Sequence, residues 1–253
     1  MKAIGRRHCI KQMMSGLAFM AAGNISLPLA AQQKKPASPT GENFWKRVDQ
    51  AKARDLVQNA IKAARAEVET QRAINASKRA EVLLGADAAK EHKTRAASHY
   101  EERNASLRAT KDSLARFVKT AAPSGEKQFT AFTGKGGLKE FAQQARKTTI
   151  ATLMNSDVSP QEAQAAVKAL DERLNKVQSL NSFQELTSHL DQHLDELIAR
   201  KMPEEDPNGL CVLILLLASI YLALLVVAVI ICIFTLGFDC QNIFNDLLAQ
   251  ICP

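Results

Sequence analysis

The residues whose types could do chemistry are five cysteines, five histidines and a lysine set among glycines. Cys9 stands near the start; Cys211, Cys232, Cys240 and Cys252 all lie in the last 43 residues. No CxxC and no Cys/His spacing of the zinc kind occurs, so no metal cage is encoded. In an exported chain, four such cysteines suit disulfides. On one straight helix Cys211 and Cys232 would stand about 31 Å apart, at 1.5 Å per residue. A disulfide needs Cα atoms within about 7 Å, so these two cannot pair with each other. Cys232 can reach Cys240 across a turn at Gly237. Cys240 can reach Cys252 if the tail helix bends. The alternative is that the thiols pack as small hydrophobes.

The remaining candidates fail on spacing. His189 and His193 are four apart, which can chelate a metal, but a zincin needs HExxH and Leu190 follows His189. They read as solvent-facing, as do His92 and His99 on a polar helix. Gly134-Lys135-Gly136-Gly137 lacks the GK[ST] ending of a phosphate loop, since Leu138 and Lys139 follow. No GxSxG elbow is present. The expectation is a protein that is not an enzyme and needs no cofactor.

The elements around these residues are dominated by Leu210–Phe238, LCVLILLLASIYLALLVVAVIICIFTLGF. No charge occurs between Asp206 and Asp239. About 20 apolar helical residues cross a hydrocarbon core of about 30 Å, so 210–236 is expected to be one transmembrane helix. Met202–Gly209 (MPEEDPNG) is an acidic, proline-punctuated linker that a helix cannot cross. Past the run, residues 237–253 form a Cys-containing tail. Its Ile243, Phe244, Leu247, Leu248 and Ile251 share a helical face, expected on a surface or in the membrane interface.

The rest of the chain reads as helix. Residues 32–42 form a linker. Residues 43–122 hold no Pro and one Gly, and are rich in Ala, Lys, Arg, Glu and Gln. They are expected to form two long basic helices, about 43–84 and 86–121. Residues 123–137 read as a loop and 138–201 as a helical bundle segment. Within the latter, Ser159-Pro160-Gln161-Glu162 and Ser182-Phe183-Gln184-Glu185 are capping boxes. The helices that they start, joined by a short link, are expected to be antiparallel neighbours. The fold class is all-α: long Ala-rich helices, an antiparallel helical hairpin and one C-terminal transmembrane helix.

Charge is uneven. Residues 43–122 carry 17 Lys+Arg and 10 Asp+Glu, whereas 157–206 carry 5 and 11. Such a basic segment can meet nucleic acid or anionic lipid, but its basic residues are interspersed with acids and no aromatic series accompanies them, as single-strand binding would want. Attraction between the two halves within one fold is the better reading.

Residues 1–31 read as an export signal: a basic head, an apolar stretch at Met13–Ala22 and a small-residue exit at Ala30-Ala31. The head, Gly5-Arg6-Arg7-His8-Cys9-Ile10-Lys11, resembles the twin-arginine signal. Arg6 and Arg7 match its paired arginines, Cys9 and Ile10 its apolar pair and Lys11 its trailing lysine. Gly5 stands where the pattern has Ser or Thr. The resemblance implies recognition by the export machinery and removal after Ala31.

Three functions compete, the third being a basic helical arm that binds nucleic acid or lipid. The first is an exported helical protein anchored in the cell membrane, with its helical domain on the periplasmic or extracellular face and free to meet a protein partner. The alternative is a precursor that releases a hydrophobic, Cys-containing, membrane-active peptide from its C-terminus. The layout of signal, helical domain and hydrophobic cysteine-bearing segment is similar in architecture to precursors of the sporulation-delaying peptide toxins. Topology bears on the choice: no Lys or Arg follows Lys201, whereas a stop-transfer helix should be followed by basic residues on the cytoplasmic side.

Overall fold

The computed structural model describes residues 41–204, 209–235 and 240–252, all within one unit. Among them the secondary structure is entirely helical: α1 (Gly41–Gln50), α2 (Arg54–Leu84), α3 (Ala86–Gly134), α4 (Gly137–Met154), α5 (Pro160–Gln178), α6 (Phe183–Ala199), α7 (Cys211–Leu217), α8 (Ile220–Phe234) and α9 (Cys240–Ile251). The export-signal residues Arg6, Arg7, Lys11 and Ala31, and the linker at 32–40, lie outside the described residues.

Helices α2 and α3 form an antiparallel pair joined at Gly85, whose φ of +94° suits a residue without a Cβ. Asn59 to Ser113, Glu67 to Arg103 and Glu81 to Lys93 mark the register. Ala63, Ala64, Ala66, Ala73, Ala89 and Ala96 are buried, and these small side chains let the two backbones approach closely. The outer part of the pair has its own small core of Ala73, Ile74 and Ala96. The inner part joins the main core.

Two boundaries differ from the sequence expectation. The helix expected over 43–84 breaks at 51–53, where Lys52 adopts φ +55° and Ala53 N–H donates to Val48 O. The break turns α1 so that Phe44 and Val48 are fully buried, with α1 packed on α8 and α9. The loop expected over 123–137 is instead helix as far as Gly134, through Pro123. Tertiary contacts outweigh the proline here. The Glu126 carboxylate accepts the N–H groups of Phe183 and Gln184 at the start of α6. A Cβ at Gly125 would fall 2.3 Å from the Phe183 ring. Phe129 and Phe132, downstream on the same helix, are buried.

The capping box at Ser159 is complete, its hydroxyl receiving Glu162 N–H and the Glu162 side chain receiving Ser159 N–H. That at Ser182 is half-formed. Ser182 receives Glu185 N–H, but the Glu185 carboxylate serves Asn181 N–H. Glu126 of α3 completes this helix start, where an acid is favoured by the helix dipole.

The expected hairpin of α5 and α6 does not form. Helix α5 packs on α4, and α6 on α3. Their apolar stripes meet the apolar run rather than each other, α5 against α7 and α8 and α6 against α8. Their sequence stripes are real, but a more apolar partner fills the space between them. Opposite charges meet across these contacts, with Lys111 between Asp191 and Asp195 and Arg146 on Asp171.

That partner is the long apolar run, which is not one helix. Helices α7 and α8 meet at 98°, and no single helix among the described residues is long and apolar enough to cross a membrane. Leu213, Ile214, Leu215, Leu216 and Leu224–Cys232 are all inaccessible to solvent within the fold. The run is the centre of the core, with α1–α6 wrapped around it. The tail helix α9 is also no surface element: Ile243, Phe244, Leu247, Leu248 and Ile251 are buried.

Candidate functional site: a bent apolar segment held by basic side chains

The bend lies at Ala218-Ser219. Neither residue is a glycine or a proline, and Ser219 takes φ +66°, an uncommon and strained conformation for a non-glycine residue. A helix end in a dry interior also leaves carbonyls that must find donors. The surrounding helices supply them. Arg200 Nη1 donates to Ala218 O at 2.9 Å. His193 Nε2 donates to Ser219 O at 2.9 Å. Arg173 Nη2 donates to Ser219 Oγ at 2.7 Å, and its Nη1 to Ala169 O. Arg173 comes from α5, His193 from α6, and Arg200 from just beyond α6. Cationic donors at the carbonyl end of α7 also complement its dipole.

The same pattern recurs at the other end of the segment. Arg65 of α2 donates to Gln250 O in the last turn of α9. Arg47 of α1 lies 3.8 Å from the buried Asp246 carboxylate. Thr149 of α4 bonds the Tyr221 hydroxyl in the core. Residues 202–253 contain no Lys or Arg, so every basic group that caps these helices is supplied by the wrapper.

Burial sets the electrostatics. Desolvation lowers the pKa of Arg173, and the neighbouring Arg200 charge acts in the same direction. Burial also lowers His193, against its bonds to Ser219 and Glu196. His189 is lowered by burial and then by His193. The two rings stack with centroids 6.5 Å apart. His193 is thus buried and His189 half-buried, where both were expected to face solvent. The hydrogen bond to Ser219 O places the His193 proton on Nε2.

The cysteines are joined within the segment itself. Cys232 pairs with Cys240, Cα to Cα 5.4 Å. Cys252 pairs with Cys211 at 5.8 Å, not with Cys240 as its spacing had suggested. The bend and the return of α9 bring the two ends of the segment together, which no straight helix could do. Residues 211–252 thus form a covalently closed module whose described cysteines make no bridge to the wrapper.

Aromatic contacts complete the enclosure. Phe234 of α8 lies edge-on to Phe117 of α3 and Phe183 of α6, with centroids 5.3 and 5.6 Å away. Phe244 of α9 meets Phe141 of α4 at 6.0 Å. Beside the bend a cavity of about 280 Å³ is lined by Glu67, Gln71, Arg103, Arg200 and Pro203, among others. At its wall the buried Arg103 binds Glu67, Asn104 Oδ1 and Leu197 O. Tyr100 donates to Arg200 O, tying the start of the linker to α3.

Among the described residues no cluster of three or more His, Cys, Asp or Glu is placed to hold a metal ion. Sequence reasoning missed Arg173, His193, Arg200 and Arg65 as holding residues. The signal for them was indirect: residues 202–253 carry no basic residue of their own, so any cationic cap for their helices had to come from the helices before them. No protein-family model, curated protein or solved structure matches this chain.

Proposed function

We propose that this chain is the exported precursor of a hydrophobic, cystine-closed, membrane-active module, residues 211–252. The helices from 41 to 199 hold that module folded and dry until a cut in the linker frees it. One observation carries the reading: the apolar segment is enclosed by the wrapper, yet both disulfides lie inside the module. A single cut between Arg200 and Gly209 would therefore leave only non-covalent contacts to break. Met202 and Glu204 are outside any helix, and Met202 is exposed, as a processing loop should be. The wrapper shields an apolar surface that would otherwise aggregate or insert before export. The architecture resembles that of the sporulation-delaying toxin precursors.

The anchored-protein reading has one observation in its favour: α7 and α8 together have the length and composition of a span. Geometry weighs against a straight one. In line, α7 and α8 would extend roughly 36 Å, whereas α9 returns only about 18 Å at 1.5 Å per residue. With Cys240 held to Cys232 and α9 intact, Cys252 would fall far short of Cys211. A straight span thus requires that the disulfide open or that α9 unwind.

The test is a tag after Pro253, followed through cell fractionation. A tagged fragment beginning at or after Met202, able to depolarise membranes, is the expected product. In the same assay, Arg6→Lys with Arg7→Lys should abolish export and leave the chain unprocessed. Full-length mature protein that resists carbonate extraction would replace this reading with the anchor.

A further inference from the structure

The outer end of the α2–α3 pair carries a feature that the wrapper role does not use. Val82, Leu83 and Leu84 are 84, 78 and 77 % exposed, three successive apolar side chains at the last turn of α2. The other large exposed apolar residues among those described, Met154, Met202 and Leu217, are single. Behind the tip the arm has its own packing in Ala73, Ile74 and Ala96, and Ala80 and Ala89 are buried between the helices. The tip is thus held on a formed two-helix arm rather than on a loose loop.

We propose that this tip inserts into the surface of an anionic lipid bilayer and brings the wrapped protein to the membrane. Three successive helical positions spread over about 200° of the circumference at 3.6 residues per turn. That makes an apolar cap, not the i, i+3, i+4 stripe that seats in a protein groove. A patch on the order of a few hundred Å² is also far below the roughly 800 Å² per partner of a stable protein interface. A bilayer asks for less: a few apolar side chains entering the acyl boundary, with basic residues among the headgroups. The collar has that composition. Residues 78–95 carry five Lys+Arg against three Asp+Glu. Lys90, Lys93 and Arg95 are tied to Asp87, Glu81 and Glu91 on the exposed sides of the arm, and Arg79 is exposed beside them. Lys78 donates to Glu204 O, so the linker runs beside this arm. Membrane contact at the tip would carry the linker toward the bilayer.

The inference stands whether or not the module is released, because it is read on the uncut chain. The chain has a single tryptophan, Trp45. Leu83→Trp in a Trp45→Phe background places the only indole at the tip of the full-length chain. With vesicles of phosphatidylcholine and phosphatidylglycerol, its emission should shift to the blue and be quenched by brominated acyl chains. Leu83→Asp with Leu84→Asp should lower vesicle affinity about tenfold, with helix content unchanged. Unshifted emission while the chain is vesicle-bound would overturn the proposal, since another region would then be the contact. So would unchanged affinity of the Asp variant, or a parent dimer that the Asp variant dissociates, which would make the tip an interface between copies.

Discussion

The wrapper and the module that it encloses are both helical, but they reach stability by opposite means. The wrapper helices are amphipathic, and their charges sit outside or in paired contacts such as Lys111 with Asp195. The module is apolar on all sides of α8 and carries no Lys or Arg. A helix apolar all round belongs in a core or a membrane. Here it finds a core because the wrapper provides both the apolar stripes and the missing caps. The lesson is that hydropathy identifies a segment that must leave water, not where it goes.

The sharpest break of this comparison concerns the wrapper's buried charge. Glu67 and Arg103 are each about 3 % exposed at the side chain. Arg103→Leu leaves a buried carboxylate without its partner and should cost about 3–5 kcal/mol. Replacing both, Glu67→Leu with Arg103→Leu, should recover most of that loss. Urea unfolding of the parent and the two variants measures it. If the single and double variants are equally unstable, the pair acts through its bonds to Asn104 and Leu197 O rather than through charge.

The second prediction concerns the module's covalent closure. Cys211→Ser with Cys252→Ser opens the larger ring and should lower stability by about 2–4 kcal/mol under oxidising conditions. Under reducing conditions the parent and the variant should converge. Equal stability without reductant would mean that packing alone holds the module shut.

Much of this fold is legible in the sequence, for reasons of local chemistry. The Ser159 box, the stripe Phe183, Leu186, Leu190, Leu194 and Leu197, and the break at Gly85 each follow from residues within a few positions. The misread parts all depend on distant partners. Pro123 stays inside a helix because Glu126 and Gly125 meet α6. The bend at Ser219 carries no glycine or proline to announce it, and its donors come from α5 and α6. The stripes of α5 and α6 show that each helix buries one face, but not that the bent run α7–α8, rather than the other helix, is what they bury it against. The pairing of Cys252 with Cys211 depends on that same bend.

The smallest expected effect is a pH dependence at the bend, where wrapper and module meet. His193 donates from Nε2 to Ser219 O, and its Nδ1 faces Glu196 at 3.3 Å. The charge of Arg200, bound to Ala218 O, also acts on His193, and Lys176 acts on the neighbouring His189. Burial holds both histidines below their ordinary pKa near 6.5. The unfolded chain therefore binds these protons more readily than the folded one, and stability falls as pH drops through about 6.5. The loss ends once pH lies below the folded-state values. Asp49 responds lower down. Its hydrogen bond to Arg54 lowers its pKa below the usual 3.8, so its contribution is present above that value and disappears only in stronger acid. Urea midpoints between pH 7.5 and 5 should thus decline modestly in the parent. They should flatten in His189→Gln with His193→Gln, where the amide that replaces the second imidazole can still donate to Ser219 O. An unchanged decline in that variant would assign the acid sensitivity to groups away from the bend. A flat profile in that variant would mean that mild acid loosens the wrapper at the bend between α7 and α8.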